Sequence, residues 1–396
     1  MKKTLTAGAA LLLSTAAVQA GGLDRGNNNY GVLFEPGNYV EFGFTVTKPD
    51  VSGEYPAPLA ALGGSAGTGD MADDYGNLSF AYKHQVNEQI AVALFLNQPY
   101  GANATYTEGF YTGLTAEWES QGISAVLKYD INENFSVYGG IRHTRSEAQI
   151  TIPDSLIRGG FSPSGTAEGA AIAAGAPAGT LAYSASTDRA DQTNYILGAA
   201  YQRPEIALRV ALTYESGGDY DFTSDENIPA FGVLPGTAPL NALGDQEFSI
   251  SMPETWRLDF QSGVAEDTLV FGQVKHQNWS VWEVRPDGYN AITGDAITSL
   301  DNDVTSWTLG VGRRINDNLS VFGRIGYEKE NGGIGSRLAP TDGSRSIGVG
   351  GTYTMDGVKV TGGIQYVALG DTTDGSGVVF EGNDAIGFGV TVGYSF

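Results

Sequence analysis

Cysteine is absent from this 396-residue chain, histidine occurs three times, and Lys plus Arg number 22 against 45 Asp plus Glu. Without cysteine no disulfide can hold the fold, so order must come from backbone pairing and packing. His84, His143 and His276 have neither a GxSxG turn nor metal-ligand spacing around them, which argues against an enzyme and leaves no metal or other cofactor to expect. A net charge of −23 provides no basic patch to displace counterions from phosphates, so nucleic acid is not a partner. Acidic pairs such as Asp73 with Asp74, or Asp301 with Asp303, lack the further ligands at fixed spacing that calcium needs. Beyond the first residues, no run approaches the roughly 20 apolar residues of a membrane-spanning helix.

What is present begins with a leader. MKKTLTAGAALLLSTAAVQA has two lysines, a short apolar run and small residues before Gly21, and it predicts a cleaved secretory signal over 1–20. Beyond it, apolar residues alternate with small or polar ones. Clear runs are Val40, Phe42, Phe44, Val46; Ile90, Val92, Leu94, Leu96; Ile206 through Tyr214; Val358 through Tyr366; and Ile386, Phe388, Val390, Val392, Tyr394. Each is about the length of a tilted strand crossing a hydrocarbon layer, roughly 9–11 residues. Six tight turns, at 86–89, 130–134, 203–205, 265–267, 316–318 and 355–357, alternate with seven long connections near 48–74, 98–110, 151–190, 216–246, 284–301, 331–342 and 370–383. The reading is all-β: a transmembrane antiparallel barrel of about 14 strands spanning 39–396, because a sheet in lipid must close to leave no unpaired edge. A soluble sandwich is the rival, and seven long loops on one side count against it.

Taking the apolar face of each strand as outward sends Glu41, Lys83, Lys128, Arg142, Arg209, Glu215, Arg257, Asp259, Arg314, Arg324, Glu328 and Lys359 inward. Two compatible readings follow: these residues stiffen the barrel as ion pairs, or Arg142, Arg209, Arg257 and Arg324 hold an anionic head group. Acidic residues then concentrate in loops, including GGDYDFTSDEN at 217–227. Segments 151–190 and 228–243 keep Leu156, Ile157, Phe161, Ile172, Leu181, Phe231 and Leu234, which form either a surface groove or a pair of short helices closing the mouth. In NQPYGA, Asn97, Pro99 and Gly101 mark a bend or the end of the third strand.

These stretches, with GGLDRGNNNYGVLFEPGNYVEFGFTVTKPDVSG, ALTYESGGDYDF and PETWRLDFQSGVAEDTLVFGQVKHQNWS, make the mature chain resemble the outer-membrane long-chain fatty acid transporters of the FadL/TodX type. The resemblance implies a barrel with an inward-folded N-terminal hatch, here a short one over 21–38. It further implies a surface groove on 151–190 and 216–246, an internal pocket, and a lateral gap near Asn97–Gly101. The expected activity is passive uptake of long-chain fatty acids or similar hydrophobic molecules. The expected partners are outer-membrane lipid and lipopolysaccharide outside, the barrel-assembly machinery during insertion, and no second subunit. A general or substrate-selective porin for small polar solutes is the alternative. The basic residue of the best-known branch near the end of strand five has no counterpart, since the chain there reads SEAQITIP.

Overall fold

The computed structural model describes residues 22–26, 28–161, 167–240 and 246–396; the expected signal at 1–20 lies outside them. Fourteen antiparallel strands close into a barrel. They are β1 Tyr39–Asp50, β2 Tyr75–Gln85, β3 Ile90–Asn97 resuming as Gly101–Thr105, β4 Thr115–Asp130 and β5 Phe135–Ile152. After β5 come β6, made of Tyr183–Thr187 and Ala190–Arg203, β7 of Leu208–Glu215 and Gly218–Asn227, and β8 of Gln246–Met252 and Thr255–Ala265. The remainder are β9 Thr268–Gln277, β10 Val304–Arg314, β11 Leu319–Glu328, β12 Ser344–Met355, β13 Val358–Leu369 and β14 Asp384–Ser395.

Closure rests on the seam, where β1 pairs with β14 without interruption from Tyr39 opposite Ser395 to Asp50 opposite Asp384. In this register the apolar set stays on one face, Phe42 beside Val392 and Phe44 beside Val390, as the period-2 pattern requires. Outward positions form an apolar belt including Leu94, Ile123, Leu127, Ile141, Leu197 and Leu309. Aromatic pairs border it: Tyr394 stacks on Phe396 (5.8 Å) and Phe135 meets Tyr201 (4.9 Å) on the short-turn rim, while Tyr214 meets Trp256 (4.7 Å) and Trp307 stacks on Tyr327 (5.8 Å) opposite. Such girdles belong at membrane interfaces, where the amphipathic ring spans apolar and wet layers.

Beyond the belt, on the long-loop side, the wall continues, and its outward face turns charged. Arg145 pairs with Asp191 (2.8 Å) and Arg189 with Glu147 (3.0 Å) between neighbouring strands. Here GGDYDFTSDEN departs from expectation: Gly218–Asn227 is strand, not loop. Asp219, Asp221 and Asp225 point out while Tyr220, Phe222 and Glu226 are buried inside, a period-2 pattern masked by the density of charge. Likewise 98–110 contains the strand Gly101–Thr105, and 151–190 contains the helices Asp154–Phe161 and Ala167–Gly175 followed by Tyr183–Thr187.

Candidate functional site

Three features meet inside the barrel: a hatch, a break in the wall and an apolar chamber. The N-terminal segment expected to form the hatch, called the hatch below and described at 22–26 and 28–38, lies against the inner wall through named contacts. Asn29 accepts from the Gly31 N–H (3.1 Å) and starts a single 3-10 turn, Tyr30–Phe34. Tyr30 packs edge-on against Phe95 (5.6 Å) and Phe34 against Tyr138 (6.2 Å), so the turn buries Tyr30, Val32 and Leu33 in the short-turn half. Buried ion pairs pin both ends, Asp24 to Lys275 (2.8 Å) and Glu35 to Lys359 (2.5 Å). Removing one partner of such a pair leaves a charge stranded in low dielectric, which makes the docking specific.

The inward bases singled out from the sequence serve largely as a cradle for this segment. Arg257 donates to the Asn28 carbonyl (3.1 Å), lies 4.6 Å over the Tyr30 ring, and pairs with Asp259 (3.3 Å). Arg209 sits 4.7 Å over Phe34 and donates to Gln261 (3.1 Å). Arg142 pairs with Glu215 (2.7 Å) and donates to the Tyr100 hydroxyl (3.1 Å). Arg324, across the barrel, donates to Gln365.

The break lies in β3. Asn97 stands opposite Gly122 and Gly101 opposite Glu119, so Gln98, Pro99 and Tyr100 face only Ser120 and Gln121 of β4. This is a bulge of one extra residue, placed where Pro99 has no N–H to give. Ser120 closes it on the β4 side by accepting from the Tyr100 N–H (2.8 Å) and donating to its carbonyl (2.6 Å). On the β2 side the ladder joins Phe80–Gln85 to Ala91–Leu96 and then stops. Beyond it, Tyr75–Ser79 pair with β1 and Gly101–Thr105 with β4, leaving between them a stretch of wall without strand pairing, called the window below, that ends where the Thr105 N–H donates to the Met71 carbonyl (2.8 Å). Asn77 spans its lower edge, donating to the Gln98 carbonyl (2.8 Å). A second interruption, between β6 and β7 near Ala190 and Gly218, is instead laced by main-chain bonds, Asp188 N–H to Thr223 O (3.0 Å) and Ser216 N–H to Tyr195 O (2.9 Å).

Above the hatch, on the long-loop side, lies a chamber of about 110 Å³. Its walls are Ala102, Ala104, Ala116, Ala148 and Ala185, faced by Trp118, Phe248, Ile250 and Trp282, and its floor is Gly22 and Leu23 of the hatch. Glu117 is the one charged residue among those that line it, and no lysine or arginine does. Over the chamber, the loops pack into one apolar cluster. Ile157 and Leu181 are buried in it, with Leu156, Ile172, Phe231 and Leu234 against their edge; the Phe161 side chain lies outside the described residues. The Arg158 guanidinium grips Asp154 in both of its oxygens (2.8 Å each) and holds that carboxyl below the usual range. Buried Glu226 accepts from the Tyr183 hydroxyl (2.8 Å) and from the Gly288 (3.1 Å) and Tyr289 (2.8 Å) N–H groups, tying the loop after β9 to the inner wall.

Residues 27–378 match the family profile described as outer membrane protein transport protein (OMPP1/FadL/TodX). The chain belongs to this family. It is therefore an outer-membrane β-barrel of the FadL/TodX group of hydrophobic-compound transporters. Among solved structures it is similar to a Pseudomonas aeruginosa FadL homologue, with 14% identity, 93% of each chain covered and a TM-score of 0.68. It is similar also to the Pseudomonas putida toluene transporter TodX (14% identity, 96% of each chain, TM-score 0.64). A third is the CymD monoaromatic hydrocarbon channel (16% identity, 95% and 94% covered, TM-score 0.60). At such identities the likeness concerns the fold. A search of curated protein sequences returns no match.

Several residues of this FadL/TodX-family barrel were not singled out from sequence. Leu23, Trp118, Phe248 and Trp282 of the chamber are scattered over separate segments, and only the inward parity of Trp118, Phe248 and Ile250 signals them. Glu226 was hidden in the acidic run, although alternation with Asp225 places it inward.

Proposed function

We propose that the protein is a passive channel carrying long-chain fatty acids or molecules of similar hydrophobic character across the outer leaflet. The loop cluster around Leu156, Ile172, Phe231 and Leu234 offers apolar surface for capture, and the alanine and tryptophan chamber below it holds the molecule. Release runs sideways through the window between Tyr75–Ser79 and Gly101–Thr105. The observation that carries this reading is adjacency: Ala102 and Ala104 line the chamber and belong to the very strand segment that borders the window. No energy source is needed, because an apolar molecule falls in free energy from water to chamber to lipid, about 25 cal/mol for each Å² buried. We further read the protein as a monomer, inserted by the barrel-assembly machinery and surrounded by lipopolysaccharide.

Against a general porin stands the short-turn half of the lumen, where Tyr30, Leu33, Tyr39, Phe95, Tyr138 and Ile196 pack together and the charges among them are taken up in ion pairs, Arg142 with Glu215, Arg257 with Asp259 and Lys359 with Glu35, instead of facing one another across an open constriction. Purified protein should retain a long-chain fatty acid or a neutral aromatic hydrocarbon in a binding assay and should leave sugar-loaded liposomes unswollen. Rapid swelling with no retained hydrophobic ligand would transfer the assignment to the porin class.

A further inference from the structure

The window is not empty, and what fills it comes from the hatch. Residues 23–26 run antiparallel to the bulge: Arg25 and Gly26 donate to the Pro99 carbonyl (2.9 and 3.3 Å), Gly101 donates to the Leu23 carbonyl (2.8 Å), and Asp24 bridges Tyr100. The hatch thus supplies the strand partner that β2 withholds. From this short ladder the Arg25 side chain passes across the opening. Its guanidinium lies 4.0 Å over the Tyr75 ring on one side and donates to Asn103 Oδ1 (2.9 Å) on the other, so it touches both strands that flank the gap. Gly101 makes room for the stem, since a Cβ there would stand 2.6 Å from Arg25 Cδ.

The charge on this residue is held in an unusual way. No carboxylate lies within ion-pair distance among the described residues; one amide oxygen and one ring face do the holding. Asp73, Glu117 and Glu119 nevertheless act on it electrostatically. Asp73, Asn103 and Glu117 line a polar cleft of about 460 Å³ on the outward side of the alanine wall. Behind Arg25, two residues back along the chain, Leu23 is already part of the chamber floor. The guanidinium therefore stands between an apolar compartment and a mouth rich in acceptors.

Resting on the proposed lateral route, we infer that Arg25 is the gate residue of the window, turned outward toward Asp73, Glu117 and Glu119 by each molecule that leaves the chamber. The ring and amide contacts keep it closed at rest. The outer carboxylates offer the displaced charge new partners, so opening exchanges one set of interactions for another instead of stranding a cation in lipid.

The chain has no native cysteine, which makes a clean test possible. Asp24 and Tyr100 occupy bridged antiparallel positions, a geometry that accepts a disulfide, so the double variant Asp24→Cys/Tyr100→Cys locks the hatch across the bulge with Arg25 intact; because it also removes the partners of Lys275 and Arg142, its own reduced form is the reference for the lock. Transfer of a fluorescent long-chain fatty acid into lipopolysaccharide-containing proteoliposomes should fall about tenfold in the oxidised protein and recover on adding reductant. In otherwise native protein, Arg25→Ala should speed transfer about fivefold, with Arg25→Lys between it and wild type. Mobility shift on boiling confirms that each barrel is folded. Equal rates before and after reduction, or an Arg25→Ala rate at or below wild type, would overturn the gate. Absence of transfer by the wild-type protein would count instead against the functional reading beneath it.

Discussion

The two flanks of the barrel's first hairpin use the same kind of strand to opposite ends. On one flank β1 zips to β14 over its whole length, Tyr39 to Asp50, with Phe42, Phe44 and Val46 facing out beside Val392, Val390 and Phe388. On the other, β2 holds β3 only through Phe80–Gln85 and then parts from it at Gln98, Pro99 and Tyr100. The seam has uninterrupted alternation and no proline opposite the pairing face until Pro49; the break has a proline, a glycine and a bulge within four residues. Lipid tolerates the second arrangement because the hatch satisfies Gly101 N–H and Pro99 O from inside. Closure is thus a property of backbone pairing, while opening is a property of a pairing lent by another segment.

The comparison can be broken most severely at the seam. Phe44→Arg puts a charge at the lipid-facing middle of β1 and should cost about 3 kcal/mol in refolding titrations, whereas a window defect should leave barrel stability near normal. Next comes the hatch: Asp24→Leu strips Lys275 of its carboxylate and should loosen the segment by about 2 kcal/mol, read as faster proteolysis of residues 22–38 with the barrel intact. Making the break more like the seam, with Pro99→Val and Gly101 left in place beside Arg25, should reduce ligand uptake about tenfold, equivalent to roughly 1.4 kcal/mol, with the heat-shifted band unchanged. The smallest effect lies in the loops. Because Asp154 is held below its ordinary range by Arg158, its contribution is complete above the unfolded value near ~3.9 and disappears as pH falls through the lower folded value. Amide exchange across 154–161 should therefore accelerate only in strong acid, by an amount worth under about 1 kcal/mol.

The strands and tight turns were legible because each is a local pattern: alternation in Phe42, Phe44, Val46, and turn chemistry in Val86–Gln89 or Met355–Gly357. An irregularity at Pro99 was legible for the same reason, with a bulge and the end of the strand both left open by the sequence. The run at 217–227 misled because its outward aspartates, lying past the apolar belt, look like loop residues until the inward Tyr220, Phe222 and Glu226 are set beside them. What sequence could not carry was pairing at a distance. Nothing near Asp24 points to Lys275, nothing near Arg142 points to Glu215, and Arg25 acquires meaning only when Tyr75 and Asn103 are brought to either side of it.

The five alanines along one side of the chamber have an evolutionary reading. Since each can be replaced by something bulkier but by nothing smaller except glycine, drift at Ala102, Ala104, Ala116, Ala148 or Ala185 can narrow the chamber a methyl group at a time and scarcely widen it. On the proposed route, a lineage starting from this barrel would specialise toward slimmer molecules by single steps, and would have to rebuild a tryptophan to return to stouter ones.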